Sequence, residues 1–147
     1  MFRGSSYNTI DPKGRIIIPT RFREEISQNG DGLVVTRLDG SLVVYPYNTW
    51  LEIENKIIAL AEKSAQMRRF RRIFVGSAVE LTCDKQGRIL IPPTLRQHAE
   101  LEKEIVLVGS LKHFEIWSRE RWERENERFL EDMKKEEFGS EIAKLGL

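Results

Sequence analysis

The chain carries one nine-residue phrase twice, and this repetition limits its possible folds more than any other feature. Asp11-Pro12-Lys13-Gly14-Arg15-Ile16-Ile17-Ile18-Pro19 returns 73 positions later as Asp84-Lys85-Gln86-Gly87-Arg88-Ile89-Leu90-Ile91-Pro92. That offset is half of a 147-residue chain. Each copy reads as a turn, a strand and a stop. Asp opens a turn by bonding its own backbone, and Gly supplies the positive φ that such turns need. A β-branched apolar run then extends, and Pro, which has no N–H to give to a ladder, closes it.

The likeness runs past the phrase itself. Phe22 and Arg23 align with Leu95 and Arg96, in a short helical stretch after each Pro. One residue is then lost, and at an offset of 72 Tyr45 aligns with Trp117, Trp50 with Trp122, and Leu42-Val43-Val44 with Phe114-Glu115-Ile116. Two copies are too few for a solenoid, in which stacked units bury one another's faces. They suit a pseudo-twofold α+β domain whose halves complete each other's core.

Within each half the local signals predict particular elements. Tyr7 to Ile10 reads as a strand, with Arg15 to Ile18 as its hairpin partner across the Asp11 turn. Three consecutive isoleucines predict a strand buried on both faces. Thr20 to Ile26 reads as a short helix, and Leu33–Arg37 with Leu42–Tyr45 as a hairpin around Asp39-Gly40. Trp50, Ile53, Ile57, Leu60, Met67 and Phe74 form an apolar stripe on a long helical stretch, with Thr49 and Glu52 as its capping box and a break at polar Ser64. In the second half, Glu80–Cys83 and Arg88–Ile91 read as strands and Pro93–Ala99 as a helix with Pro at its start. Ile105–Val108 and Phe114–Trp117 pair across a loop at Gly109–His113. A helix follows from Arg119 towards Lys135, with Trp122, Phe129 and Met133 on one stripe, and the chain frays beyond Gly139.

Composition narrows the function. With 24 Lys and Arg against 23 Asp and Glu, the net charge is only +1, so any nucleic-acid site must be a local patch. The single Cys83 allows no internal disulfide and fits a reducing compartment. No apolar run reaches membrane-spanning length and the first residues lack a signal-peptide core, so the expected location is the cytoplasm. His98, His113 and Cys83 make no metal spacing. There is no Walker-type phosphate loop and no nucleophile elbow, hence no enzyme and no cofactor is expected.

The doubled turn is what remains to carry function. An Asp and an Arg four residues apart at one turn ordinarily make a local hydrogen bond and nothing more. Fold symmetry accounts for Asp and Gly in both copies, but it does not require an exposed Arg at both strand starts. A pseudo-twofold would set Arg15 and Arg88 as a symmetric pair with Lys13 and Lys85 beside them. Such a pair suits double-stranded DNA, with Arg forking onto guanine O6 and N7 while Lys holds phosphate. Arg68-Arg69-Phe70-Arg71-Arg72 is the densest basic run, and phosphate contact and subunit contact are equally open for it. Arg3, Arg21 and Arg23 read first as surface charge, with backbone contact to DNA as the alternative.

These residues resemble the MraZ family of bacterial proteins over nearly the whole chain. The likeness is carried by Met1-Phe2-Arg3-Gly4, both Asp-x-x-x-Arg motifs, Leu95-Arg96-Gln97-His98-Ala99, and Val108-Gly109 with Phe114-Glu115-Ile116-Trp117. The resemblance implies an AbrB- and MazE-like swapped-hairpin β-barrel with flanking helices, formed by one domain over 1–147 from two repeats, about 1–74 and 75–147. It implies a transcriptional regulator of the division and cell-wall gene cluster that binds repeated G-rich promoter elements as a ring homo-oligomer. It sets Asp11, Arg15, Asp84 and Arg88 in the DNA-recognition motif, with the Arg side chains as readers and the Asp side chains as braces. Nucleoid association follows, and no membrane or small-molecule partner. The second copy lacks the Pro of the first, so the first copy is the stronger reader. A protein-binding, antitoxin-like module acting through the C-terminal helix is the rival expectation.

Overall fold

The computed structural model describes residues 1–60 and 64–147. In chain order the described residues form β1 (Ser5–Thr9), β2 (Arg15–Ile17), α1 (Thr20–Ser27), β3 (Leu33–Leu38), β4 (Ser41–Pro46), α2 (Tyr47–Ala59) and α3 (Ala65–Gly76). They continue as β5 (Val79–Leu81), β6 (Arg88–Leu90), α4 (Pro93–His98), β7 (Glu104–Ser110), β8 (His113–Ser118), α5 (Arg119–Met133) and α6 (Glu136–Ala143). This is a mixed α+β chain. Six strands make one antiparallel sheet in the order β1-β7-β8-β4-β3-β5, and β2 pairs with β6 in a separate two-stranded ribbon. Exchanging the two halves (β1 for β5, β3 for β7, β4 for β8) reads the same order backwards.

Alternation along the strands divides the apolar residues between two faces of the sheet. Leu33, Val35, Leu42, Val44, Ile105, Leu107, Phe114 and Ile116 point to one face. There they meet Ile16, Ile18, Ile89 and Ile91 from the ribbon segments, with Phe2, Phe22 and Leu95. Phe2, Phe22 and Phe114 touch one another, with ring centroids 5.0–5.2 Å apart. On the opposite face Val34, Val43 and Tyr45 are covered by Trp50, Ile57 and Phe74. The aligned aromatic pairs occupy like positions: Tyr45 lies 5.8 Å from Trp50, and Trp117 lies 5.9 Å from Trp122. The β3–β4 turn is of the kind expected, since Asp39 (φ 55°) and Gly40 (φ 81°) both take the left-handed region that a two-residue hairpin needs.

Several expectations need correction. The hairpin of the first strand with Arg15–Ile18 does not form. The Asp11 turn closes, with Asp11 N–H donating to Arg15 O at 3.0 Å, but β1 then pairs with β7 and β2 with β6. A turn residue sets a local reversal only; the partner was decided by which strand lets Ile16 and Ile18 reach under the sheet. The isoleucine run is not buried on both faces, since Ile16 and Ile18 are fully buried while Ile17 is 57% exposed. The Thr49–Glu52 capping box is absent. α2 starts at Tyr47 behind Pro46, where Tyr47 N–H finds a loop acceptor, Gly32 O, at 2.9 Å.

The β7–β8 connection is two residues, Leu111-Lys112, because Gly109 and Ser110 still pair with Phe114 and His113. The long helical stretch ends at Ala59 with Leu60 extended and restarts at Ala65, where Ser64 caps by accepting from Met67 N–H. The part of that stretch at 61–63 lies outside the described residues. Leu60 and Met67 of the expected stripe are exposed. Beyond Gly139 the chain stays helical, because α6 runs through it. No helix of the described residues is long and apolar enough to cross a membrane.

Candidate nucleic-acid interface

The two Asp turns are built alike, atom for atom. Asp11 Oδ1 accepts the backbone N–H of Lys13 (3.0 Å) and of Arg15 (2.8 Å), while its Oδ2 accepts Arg15 Nε at 2.6 Å. Asp84 Oδ1 accepts the backbone N–H of Gln86 and of Arg88, both at 2.9 Å, and its Oδ2 accepts Arg88 Nε at 2.9 Å. Each turn closes by a Gly N–H donating back to the Asp carbonyl, with Gly14 at φ 90° and Gly87 at φ 77°. The backbone bond from Arg15, with its side chain and charge, holds the Asp11 carboxyl below its ordinary value against the pull of desolvation. The backbone bond from Arg88 does the same for Asp84. Both carboxylates are therefore charged at neutral pH, and each steers its Arg through Nε alone.

The ribbon sets these turns on one surface. Its register pairs Arg15 with Leu90, Ile16 with Ile89 and Ile17 with Arg88. Opposed residues of an antiparallel pair share a face. The central pair Ile16–Ile89 points into the core, at 0% and 1% exposure. Arg15, Ile17, Arg88 and Leu90 therefore share the outer face, where Ile17 and Leu90 are more than half exposed. The two arginines are diagonal neighbours, about 7–8 Å apart at Cα. Their side chains are 33% and 26% exposed.

The remaining candidates fall in different places. Lys13 and Lys85 are both exposed on the turns, but at unlike positions: Lys13 corresponds to Gln86, and Lys85 to Pro12. Arg3 lies by the β7–β8 end, its backbone against Gly109, and among the described residues no contact ties it to either turn. Arg68 to Arg72 line the exposed surface of α3. Arg23, expected as surface charge, instead packs its guanidinium across Gly87, and Arg96 packs across Gly14. Each half thus holds the turn of the other. Their alignment across the repeats was visible in sequence, but the reach of each to the opposite copy was not. Among the described residues no cluster of three or more His, Cys, Asp or Glu could hold a metal ion.

Comparison with known proteins agrees with the doubling. A family described as "MraZ protein, putative antitoxin-like" matches at residues 1–73 and again at 74–140. A protein of Desulforapulum autotrophicum named transcriptional regulator MraZ is 60% identical over the full length of both chains. A protein of the same name from Desulfosudis oleivorans is 54% identical, again over the full length of both. One from Heliobacterium modesticaldum is 48% identical over 87% of this chain and 88% of its own.

Proposed function

The chain belongs to the MraZ family, and we propose that it is a sequence-specific DNA-binding transcriptional regulator, with the β2–β6 ribbon as its reading element. The observation that carries this is the outer ribbon face, on which Arg15 and Arg88 are each braced by an Asp. The major groove admits a two-stranded β-ribbon, and Arg reads guanine there through a fork onto O6 and N7. Because Asp11 and Asp84 take only the Nε donors, the Nη hydrogens are left for that fork. The diagonal of about 7–8 Å spans about two base-pair steps of 3.4 Å. Ile17 and Leu90 between the arginines offer apolar contact to a thymine methyl. Lys13 and Lys85 would hold flanking phosphates, and Arg3 a more distant one.

In this reading the fold is one domain of two AbrB-like repeats, about 1–74 and 75–147, closed as a swapped-hairpin barrel, and the palindromic strand order supports it. Copies join in a ring homo-oligomer in the cytoplasm, associated with the nucleoid. Net charge of +1 makes one subunit a weak binder, and several reading faces on one ring raise avidity if the G-rich elements are spaced to match. The targets are the protein's own promoter and the division and cell-wall gene cluster. The test is a competition gel shift on the upstream region of its own gene. Wild type should form a discrete complex that resists non-specific competitor, while Arg15→Ala and Arg88→Ala, still folded, should lose it. Unchanged affinity in both variants would overturn the proposal.

A further inference from the structure

Away from the ribbon, a groove of about 430 Å³ opens between the β3–β4 tip and α3. Leu38 of the tip and Phe70 and Ile73 of α3 line it, together with Arg37, Arg69 and one acid, Asp39. α3 carries four arginines and no acid, and it leaves Met67, Phe70 and Ile73 about 40% exposed. A surface of this kind, apolar at the centre and charged around it, has the make-up of a protein contact.

The C-terminal helices present the opposite. α5 buries no residue completely, and Phe129, Leu130 and Met133 stand exposed along one side of it at 51%, 62% and 40%. From Glu125 to Glu141 there are seven acidic side chains against three basic ones, a net charge of −4. Intrahelical pairs such as Lys134–Glu131 and Lys135–Asp132 use some of these charges without removing the excess.

We propose that the two faces are mates: the α5–α6 face of one copy of this chain seats in the α3 groove of the next. Charge and polarity both match, apolar on apolar with acidic around basic. A contact of α3 with α3, or of α5 with α5, would oppose like charges. The pairing is therefore head-to-tail. Such a contact leaves a groove unfilled at one end of the row and a helix face unfilled at the other, so copies add until the chain of subunits closes on itself. This inference rests on the assembly reading above and names the surfaces that make it. It also assigns the Arg68–Arg72 run to subunit contact.

The test is solution mass by light scattering on the full chain, for wild type, Ile73→Asp and Leu130→Asp. Both positions are exposed, and circular dichroism melts report whether each variant folds. Arg69→Glu repeats the groove arm without changing an apolar contact. Each variant alone should fall towards the 17.2 kDa subunit mass. Mixing Ile73→Asp with Leu130→Asp should then restore a dimer and nothing larger, because only one intact groove and one intact helix face can meet. Variants that keep the wild-type mass, or a mixture that stays monomeric, would overturn the head-to-tail contact. A wild-type protein that is itself monomeric would remove the assembly reading, and this inference with it.

Discussion

Arg96 lies across Gly14 so closely that a methyl group on Gly14 would meet Arg96 Nε at 2.7 Å and Ile91 O at 2.9 Å. Gly87 stands in the same relation to Arg23. Among the described residues both Nε atoms are buried without a hydrogen-bond partner, so this edge of each guanidinium packs by contact, while Arg23 Nη2 donates to Thr20 Oγ1 at 2.8 Å. The carbonyls of the same glycines accept from Ile91 N–H (2.8 Å) and Ile18 N–H (2.9 Å) of the opposite half. Each turn is therefore fixed by the other repeat's helix and strand as well as by its own Asp.

Gly14→Ala and Gly87→Ala should each destabilise the fold. The left-handed backbone alone costs an L-residue about 1–2 kcal/mol, and the clash with an arginine adds to it. Gly139, with open space around it and no positive φ, is the control: Gly139→Ala should leave the urea midpoint unchanged or raise it. Equal midpoints for Gly14→Ala and wild type would mean that the turns are not held across the repeats.

Arginines and lysines of the interface should separate in binding assays. If Arg15 and Arg88 read bases as proposed, loss of either should cost about 1–3 kcal/mol of discrimination, as for a good bidentate contact. Loss of Lys13 or Lys85 should weaken binding to all sequences alike and reduce the salt slope by about 1. Titrations at several salt concentrations, on specific and scrambled duplexes, check both. A lysine variant that loses specificity while keeping the salt slope would contradict the assignment.

Asp11→Asn separates geometry from charge. An amide oxygen still accepts from Lys13 and Arg15 N–H, but the charge that draws Arg15 Nε is gone. The thermal midpoint should move little and specific affinity should fall. The Asp11 carboxyl lies below its ordinary 3.8 when folded. Its stabilising effect is therefore complete above about pH 4 and is lost as pH falls through the lowered native value. Binding should not vary from this source between pH 6 and 8, and a binding transition there that vanishes in Asp11→Asn would contradict the bracing role.

His98 gives the stability its own pH dependence. Its Nδ1 lies 3.0 Å from Arg37 Nη1, and burial, followed by the charges of Arg37 and Arg121, lowers its pKa from 6.5. The unfolded chain thus takes up a proton at a pH where the native chain does not. Stability from this group is full above 6.5 and declines as pH falls through 6.5 towards the native value. Urea midpoints at pH 7.5 and 5.5 should differ more for wild type than for His98→Gln. A midpoint that rises on acidification would have the wrong sign.

Local features were legible in the sequence, and partners were not. Asp39-Gly40 marked its hairpin because both residues tolerate positive φ. Thr20–Ile26, Pro93–Ala99 and Arg119–Lys135 marked helices by period and by the Pro at position 93. Strand pairing failed at Arg15–Ile18, because a turn at Asp11 says nothing about whether the next strand folds back or crosses to the other copy. Ile17 misled for a related reason: three isoleucines look buried together, yet in an extended chain Ile17 points to the face opposite that of Ile16 and Ile18. Thr49 and Glu52 matched a capping pattern that Pro46 and Gly32 made unnecessary. The Asp–Arg bonds were readable from spacing, whereas Arg23 reaches across 64 positions to Gly87 and Arg96 across 82 to Gly14, beyond any local signal.

The central claim, that Arg15 and Arg88 read guanine in the major groove, is tested most directly by dimethyl sulfate interference on the bound promoter fragment. The reagent methylates guanine N7 in the major groove and adenine N3 in the minor groove. Wild-type binding should be blocked by methylation at guanines in each repeated element. Interference at adenine N3 alone, or none at guanine N7, would contradict the account.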